Sequence, residues 1–475
     1  MKNTPIIFAI FIATTAFAQN RIGTGEIDKL YQTYCAACHG EDLRGGEGES
    51  LIDDVWKYGG TDEDLTRVIS EGILENGMIP YKGVLTPEQI RALVIYIREQ
   101  GQLAKKQQVE ESLKPQDGVF QSEDHQFTLE KVLDGNGIIW AIDFLPNGSF
   151  LFTERQGDLY LFENGKKQKV DGIPAIWQRG QGGLLEVAVH PDYQENGWIY
   201  LGYSETVGAT ENGNEAGMTA IVRGRISDGQ WVDQENIFHV PGEFHTSAGA
   251  HFGTRFVFQD GYLFFSIGDR GRQQMAQDLS KPNGKHHRIH DDGRVPENNP
   301  FIGVKDAYPT IWTYGNRNPQ GLDQHPITKQ IWSTEHGPRG GDELNIIEGG
   351  KNYGWPTITY GMNYNGTPIT DKTHQEGMEQ PVKYWTPSIA VCGIEFYEGD
   401  LFPDWKHNLF VSGMASQELH RIELKDGEVI SDEIVLKNQG RIRDIANGPE
   451  GSLYLSLNGG SPRKGSIYRL VPVEK

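Results

Sequence analysis

Between residues 140 and 470 one pattern returns six times: a short alternating apolar strand, a turn of Pro, Asp, Asn or Gly, a second strand, then a third. Residues 140–148, 150–153 and 158–162 make the first copy, and the later ones open at Leu185, Arg255, Gly321, Ile394 and Arg443. A unit of a few strands cannot bury its apolar face alone, whereas copies stacked side by side share a continuous core. The expected fold is therefore an all-β six-bladed β-propeller over residues 123–475, with its chemistry on loops at one end of the central channel. Gly 59 and 10% aromatic residues against 23% charged ones suit short strands and tight turns.

Upstream of the repeats the periodicity is helical. Ile27, Leu30, Tyr31 and Tyr34 share a face just before Cys35-Ala36-Ala37-Cys38-His39. Two thiols three positions apart followed by an imidazole is the attachment pattern of covalent haem c, with Cys35 and Cys38 bonding the porphyrin and His39 ligating iron. Thr61 and Asp64 form a capping box ahead of Leu65, Val68 and Ile69. Thr86 caps a third helix, with Pro87 in its first turn, Gln89 at the third position, and Ile90, Leu93, Val94 and Ile97 on one face. Residues 19–101 thus resemble a small all-α class I cytochrome c. That family's GMxP setting matches Gly77-Met78-Ile79-Pro80 and implies Met78 as the sixth iron ligand, an arrangement suited to electron transfer.

Lys2, the apolar run from Ile6 to Ala13, and Ala16-Phe17-Ala18 make residues 1–18 an expected export signal peptide, cleaved to leave a periplasmic or secreted protein with no membrane span. Covalent haem agrees with that compartment. Lys+Arg 44 against Asp+Glu 65, a net charge of -21, excludes general affinity for nucleic acid or anionic lipid. Two of the three cysteines belong to the haem motif, so no intrachain disulfide framework exists and Cys392 reads as a packing residue. At 475 residues the chain calls for more than one domain. The polar stretch 102–122 reads as a linker; as a free coil it would span roughly 25 Å and keep the haem at a local concentration of order millimolar.

Charged or glycine-rich loops interrupt the repeats at 180–184, 250–253, 266–271, 314–321 and 334–343, and Arg441-Ile442-Arg443-Asp444 opens the last blade. Through these loops, and across all six copies, the large domain resembles the soluble quinoprotein glucose/sorbosone dehydrogenases, and within them the broad-specificity aldose branch. The resemblance implies pyrroloquinoline quinone (PQQ) bound by Arg317, Asn318, Arg441 and Arg443. It implies His251 as general base oriented by Asp269, Gln181 lining the sugar pocket, Arg317 within the catalytic set, and Ca²⁺ on the carbonyls of Gly337 and Pro338. Each role suits its residue: a tricarboxylate in an acidic protein needs a local guanidinium cluster, imidazole titrates near neutrality, and calcium takes oxygen donors. By themselves, an Arg-x-Arg pair fits a solvated strand face and His251 is one of 14 histidines. Asp342 and Glu343 either support a metal or cap a turn. His286, His287 and His290, flanked by Lys285, Arg288 and Asp291, read as an exposed loop. At 414–417, where relatives carry a quinone-contacting lysine, this chain reads Met-Ala-Ser-Gln.

The expected function is that of a quinohaemoprotein oxidising an aldose at C1 to the lactone. Hydride passes to PQQ, then electrons singly to haem and on to an external one-electron acceptor such as a cytochrome or respiratory chain component. The alternatives are a calcium-dependent propeller lactonase and a non-catalytic sugar-binding propeller on a redox domain.

Overall fold

The computed structural model describes residues 25–209, 213–459 and 463–473, in which six antiparallel sheets form the blades of a propeller. The export signal read over 1–18 lies outside the described residues. The first strands of neighbouring blades touch: Ile139–Phe144 against Leu184–Val189, Phe256–Gln259 against Pro319–Gln324, and Val391–Phe396 between Pro319–Gln324 and Arg441–Asn447. Each of blades one to five is a four-stranded meander whose outer strand the repeat pattern did not include.

Local sequence explains the meanders. Asn164-Gly165, Asp228-Gly229, Asp260-Gly261 and Asp426-Gly427 all have both residues at positive φ, the geometry of two-residue hairpin turns that match strand twist. They set the registers Glu163↔Lys166, Ser227↔Gln230, Gln259↔Tyr262 and Lys425↔Glu428. The sixth blade closes the ring differently. Its strand Lys464–Pro472 pairs with Gln126–Asp134, the stretch that follows the linker, and Val119–Gln121 covers the edge.

Apolar faces of adjacent blades supply the core: Trp140, Leu151, Leu185 and Leu201 pack between the first two blades, and Trp332, Phe396 and Val411 between the fourth and fifth. At the centre lies a buried cation. Arg255 Nη1 is 2.6 Å from Asp444 and 3.1 Å from Glu186; its Nε donates to Gln320 O and its Nη2 to Arg443 O. The guanidinium also stands 4.2 Å over Trp140 and 3.9 Å from Cys392 Sγ, so it touches every other blade.

One expectation is corrected here. Lys285–His290 is the third strand of the third blade, not an exposed loop. His286 bonds Thr313 and Ser333, His287 bonds Thr310 and Pro282 O, and burial pushes both imidazoles down to about 3, keeping them neutral. Lys285 donates to the carbonyls of Met275, Ala276 and Asn283. Flanking charges misled because nearby backbone carbonyls and asparagine side chains satisfy Lys285 and Arg288 inside the fold.

The N-terminal domain has helices α1 (Glu26–Tyr34), α2 (Ala36–His39), α3 (Asp62–Glu71) and α4 (Pro87–Ser112), with both expected capping boxes formed. α4 overruns the expected boundary: residues 102–112, read as part of a polar coil, continue the helix, since the Gln, Lys and Glu there are good helix formers. Nor does the domain stand apart. Residues 90–97 of α4 are buried on every side, because one stripe faces the cytochrome core while Arg91, Ile95 and Glu99 face the propeller. Arg91 donates to Tyr360 O, Glu26 N to Asn365 O, Glu99 pairs with Arg339, and Met362 of the fourth blade completes the cytochrome core.

Replacing Arg255 with Met would leave Glu186 and Asp444 buried without a counter-charge. The expected cost is about 3–5 kcal/mol of propeller stability, read as a lower urea midpoint with the haem domain's spectrum unchanged.

Candidate functional site

In the cytochrome domain Cys35 is half-buried and Cys38 exposed, both as free thiols. His39 Nδ1 lies 2.8 Å from Glu49 O, so the carbonyl fixes the ring and leaves Nε2 for a metal. Met78 packs partly buried against the same core, held by paired backbone bonds with Ile73. Unpaired thiols, a ring nitrogen left open and a thioether on the same small core fit haem c, which Cys35, Cys38, His39 and Met78 would hold.

At the propeller mouth His251 and Asp269 come together from loops flanking one strand pair. His251 Nδ1 is 2.6 Å from Asp269 Oδ1, which also accepts from Gly271 N, while Asp269 Oδ2 accepts from Trp355 Nε1 at 2.9 Å. Burial opposes ionisation of Asp269, but its hydrogen bond with His251 and the charge of Arg317 hold it below the usual carboxylate range. Burial lowers the His251 pKa, Asp269 pulls it back up, and Arg317 lowers it further. A neutral imidazole results, with Nδ1–H facing the carboxylate and Nε2 free to accept a proton. Gln181 Oε1 accepts from His251 N, so this side chain holds the backbone of the histidine. His251 itself sits at φ 55, a conformation that costs energy for a non-glycine residue and clusters at functional sites. Gly268 permits this: a Cβ there would meet His251 O at 2.5 Å.

Beside this pair lies a cluster of cations. Arg317 Nη1 donates to His336 O and Gly337 O, and Arg443 Nη1 to Gln320 Oε1. Arg155 and Arg441 join them; burial lowers both, and each is lowered further by Arg443 and Arg463. His336 is pushed well below its ordinary value by burial and by Arg317, Arg443, His251 and Arg441, and its Nε2 is buried without a partner, as is Arg155 Nε. Among the described residues no carboxylate pairs with Arg155, Arg317, Arg441 or Arg443; the nearby Glu186 and Asp444 are committed to Arg255. Four guanidiniums without a paired carboxylate, Arg317 buried and Arg155, Arg441 and Arg443 half-buried, fit a ligand carrying several carboxylates. Asn318, fully buried, keeps its Oδ1 on Gly253 N and Gln320 Nε2.

Asp342 accepts from Gly337 N, Ser388 Oγ and Val391 N, which uses its carboxylate as a cap that shapes the Gly337 turn. Glu343 faces Glu335 across paired strands, and burial raises both. Among the described residues no three His, Cys, Asp or Glu side chains form a metal cluster. Calcium takes about six to eight oxygens. The carbonyls of Gly337 and Pro338 would supply two of these, and a bound ligand or water would have to bring the rest.

Sequence reasoning missed Arg155, His336 and Trp355. His336 stands inside the quoted motif 334–343, but nothing in its neighbours marks it as facing Arg317. Arg155 ends an ordinary strand, and Trp355 reaches Asp269 from 86 residues away. Cys392 lies buried, 3.7 Å from Arg443 Nη1.

Asp269→Asn keeps an acceptor for the His251 Nδ1–H but removes the carboxylate charge that favours the imidazolium. His251 is expected to titrate below 6.5 in the wild-type chain and lower still in this variant, as histidine-selective NMR of the full-length protein would show.

Comparison with known proteins agrees with both halves. Residues 137–469 match the glucose/sorbosone dehydrogenase family and residues 24–97 match subunit III of cbb3-type cytochrome c oxidase. The chain is 41% identical to an aldose sugar dehydrogenase of Escherichia coli over 70% of its own length and 90% of that protein's. It is 26% identical to quinoprotein glucose dehydrogenase B of Acinetobacter calcoaceticus, over 70% and 85%. The crystal structure of the soluble aldose sugar dehydrogenase from Escherichia coli in its apo form superposes with a TM-score of 0.68 at 38% identity, covering 73% of this chain and 100% of that one. A six-bladed propeller with His251, Asp269 and an arginine-lined mouth, carried behind a CxxCH domain, thus belongs to the glucose/sorbosone dehydrogenase family of oxidoreductases, joined here to an N-terminal cytochrome c domain.

Proposed function

We propose that this protein is an exported quinohaemoprotein that oxidises aldoses at C1 to the lactone. Haem c is normally attached outside the cytoplasm, which with residues 1–18 favours the periplasm. The observation that carries the reading is the meeting, at one mouth, of a neutral His251 with free Nε2 and four guanidiniums, Arg317 buried and Arg155, Arg441 and Arg443 half-buried, none of which forms an ion pair with a carboxylate among the described residues.

When bound, PQQ supplies a two-electron hydride acceptor, Ca²⁺ a Lewis acid, and haem c a one-electron carrier. The chain's own residues do the rest. Arg317, Arg441 and Arg443, with Arg155, neutralise the quinone's carboxylates. His251 Nε2 takes the proton of the C1 hydroxyl as hydride leaves that carbon, so no charged alkoxide has to form first. Asp269 holds Nδ1–H, fixes the tautomer and stabilises the imidazolium; Trp355 and Gly271 keep the carboxylate aimed. Gln181 anchors the strained His251 backbone. Gly337 and Pro338 would offer calcium their carbonyls, with Asp342 shaping the turn. The quinoprotein and aldose dehydrogenase names of relatives support this reading.

The test is the haem's visible spectrum in oxidised full-length protein after adding an aldose, with and without PQQ and Ca²⁺. Reduction is expected only when sugar, quinone and calcium are all present. Lactone hydrolysis with no electron acceptor would point instead to the lactonase. His251→Ala is expected to lower kcat by roughly 10²–10⁴-fold while quinone is retained through gel filtration; unchanged turnover would exclude His251 as the base.

A further inference from the structure

One segment of the fourth blade touches both redox halves. It leaves the propeller mouth at Gly337, whose carbonyl accepts from Arg317, and returns with the Tyr364 ring 6.0 Å from the same guanidinium. Between these points it turns toward the cytochrome domain. Arg339 Nε lies 3.0 Å from both oxygens of Glu99 and its Nη2 2.8 Å from Oε2, with the two side chains 11% and 8% exposed. Arg339 is paired through its backbone with Met362, which is wholly buried in the cytochrome core. On α4, Arg91, Ile95 and Glu99 form one stripe four residues apart, the spacing of side chains that share a helix face. A forked guanidinium–carboxylate pair in a buried interface fixes orientation as well as distance.

We infer that Glu99 and Arg339 are positioning residues for electron transfer: they hold the cytochrome domain docked on residues 337–366, so electrons cross from propeller to haem through a fixed interface and not by search on a tether. The inference rests on the proposed quinone and haem chemistry. Each sugar oxidised to lactone releases two electrons and two protons. Two single transfers each reduce one haem from Fe(III) to Fe(II), the external one-electron acceptor reoxidises the haem between them, and the protons leave to solvent. Neither Glu99 nor Arg339 touches the sugar site, so the pair acts on geometry alone.

The test uses full-length protein carrying haem, PQQ and Ca²⁺, as wild type, Glu99→Gln, Glu99→Arg and the reversed pair Glu99→Arg/Arg339→Glu. Small-angle scattering reads docking, stopped-flow absorbance reads haem reduction by glucose, and a soluble dye that oxidises the quinone directly reads sugar oxidation. Glu99→Arg is expected to lengthen the particle and slow haem reduction about tenfold or more, with the dye-coupled rate unchanged. Glu99→Gln should fall between, and the reversed pair should recover both docking and haem reduction. Unchanged haem reduction in Glu99→Arg, no recovery in the reversed pair, or an equal fall in the dye-coupled rate would each overturn the inference. If glucose reduces neither dye nor haem even in wild type, the proposed function fails; scattering still decides docking, and an extended wild-type particle would overturn it.

Discussion

Arg255 stands where the blades meet, and the arrangement of the mouth depends on it. A single guanidinium binds carboxylates from the second and sixth blades, carbonyls from the fourth and sixth, the face of Trp140 from the first and the sulfur of Cys392 from the fifth. A charge buried this deeply persists only when its hydrogen bonds are filled and its charge balanced, and that requirement sets the distance at which the blades close. Its contact with the backbone of Arg443 carries the constraint up to the cofactor end of the channel. The guanidiniums above it are the complement: Arg255 has two carboxylates, while among the described residues Arg155, Arg317, Arg441 and Arg443 form no ion pair with one.

A second constraint acts between domains. Burial all round residues 90–97 of α4 means that the helix needs two partners, its own domain on one side and the fourth blade on the other. Docking then follows from burial, not from tether length. The loop at the junction is shared between functions, since its glycine carbonyl faces Arg317, its arginine faces Glu99 and its methionine fills the cytochrome core.

Much of this was legible beforehand. Six returns of a strand pattern specify six blades because each apolar face needs a neighbour, and Thr61 and Thr86 mark helix starts by chemistry that is local in the chain. The all-round apolar run Ala92 to Ile97 was equally visible, but was read only for the face that serves the cytochrome. His251 and Asp269 were found through resemblance of their loops, since neither residue announces itself. The histidines of the third blade contradict the exposed-loop reading for the opposite reason: charged neighbours suggest solvent, but here carbonyls and asparagine side chains close by in the chain satisfy Lys285 and Arg288 in the interior.

The sequence by itself determined the strand repeat, the turns, the helix caps and the haem-attachment motif, because hydrophobic periodicity, positive-φ turn residues and ligand spacing act over a few neighbouring positions. Tertiary structure alone decided that Trp355 secures Asp269, that Arg155 and His336 join the cation cluster, that Gln126–Asp134 closes the last blade, and that Glu99 meets Arg339. These contacts join residues tens to hundreds of positions apart. Their energies come from desolvation and charge pairing, which depend on where the surrounding chain places each group and not on which residues stand beside it in sequence.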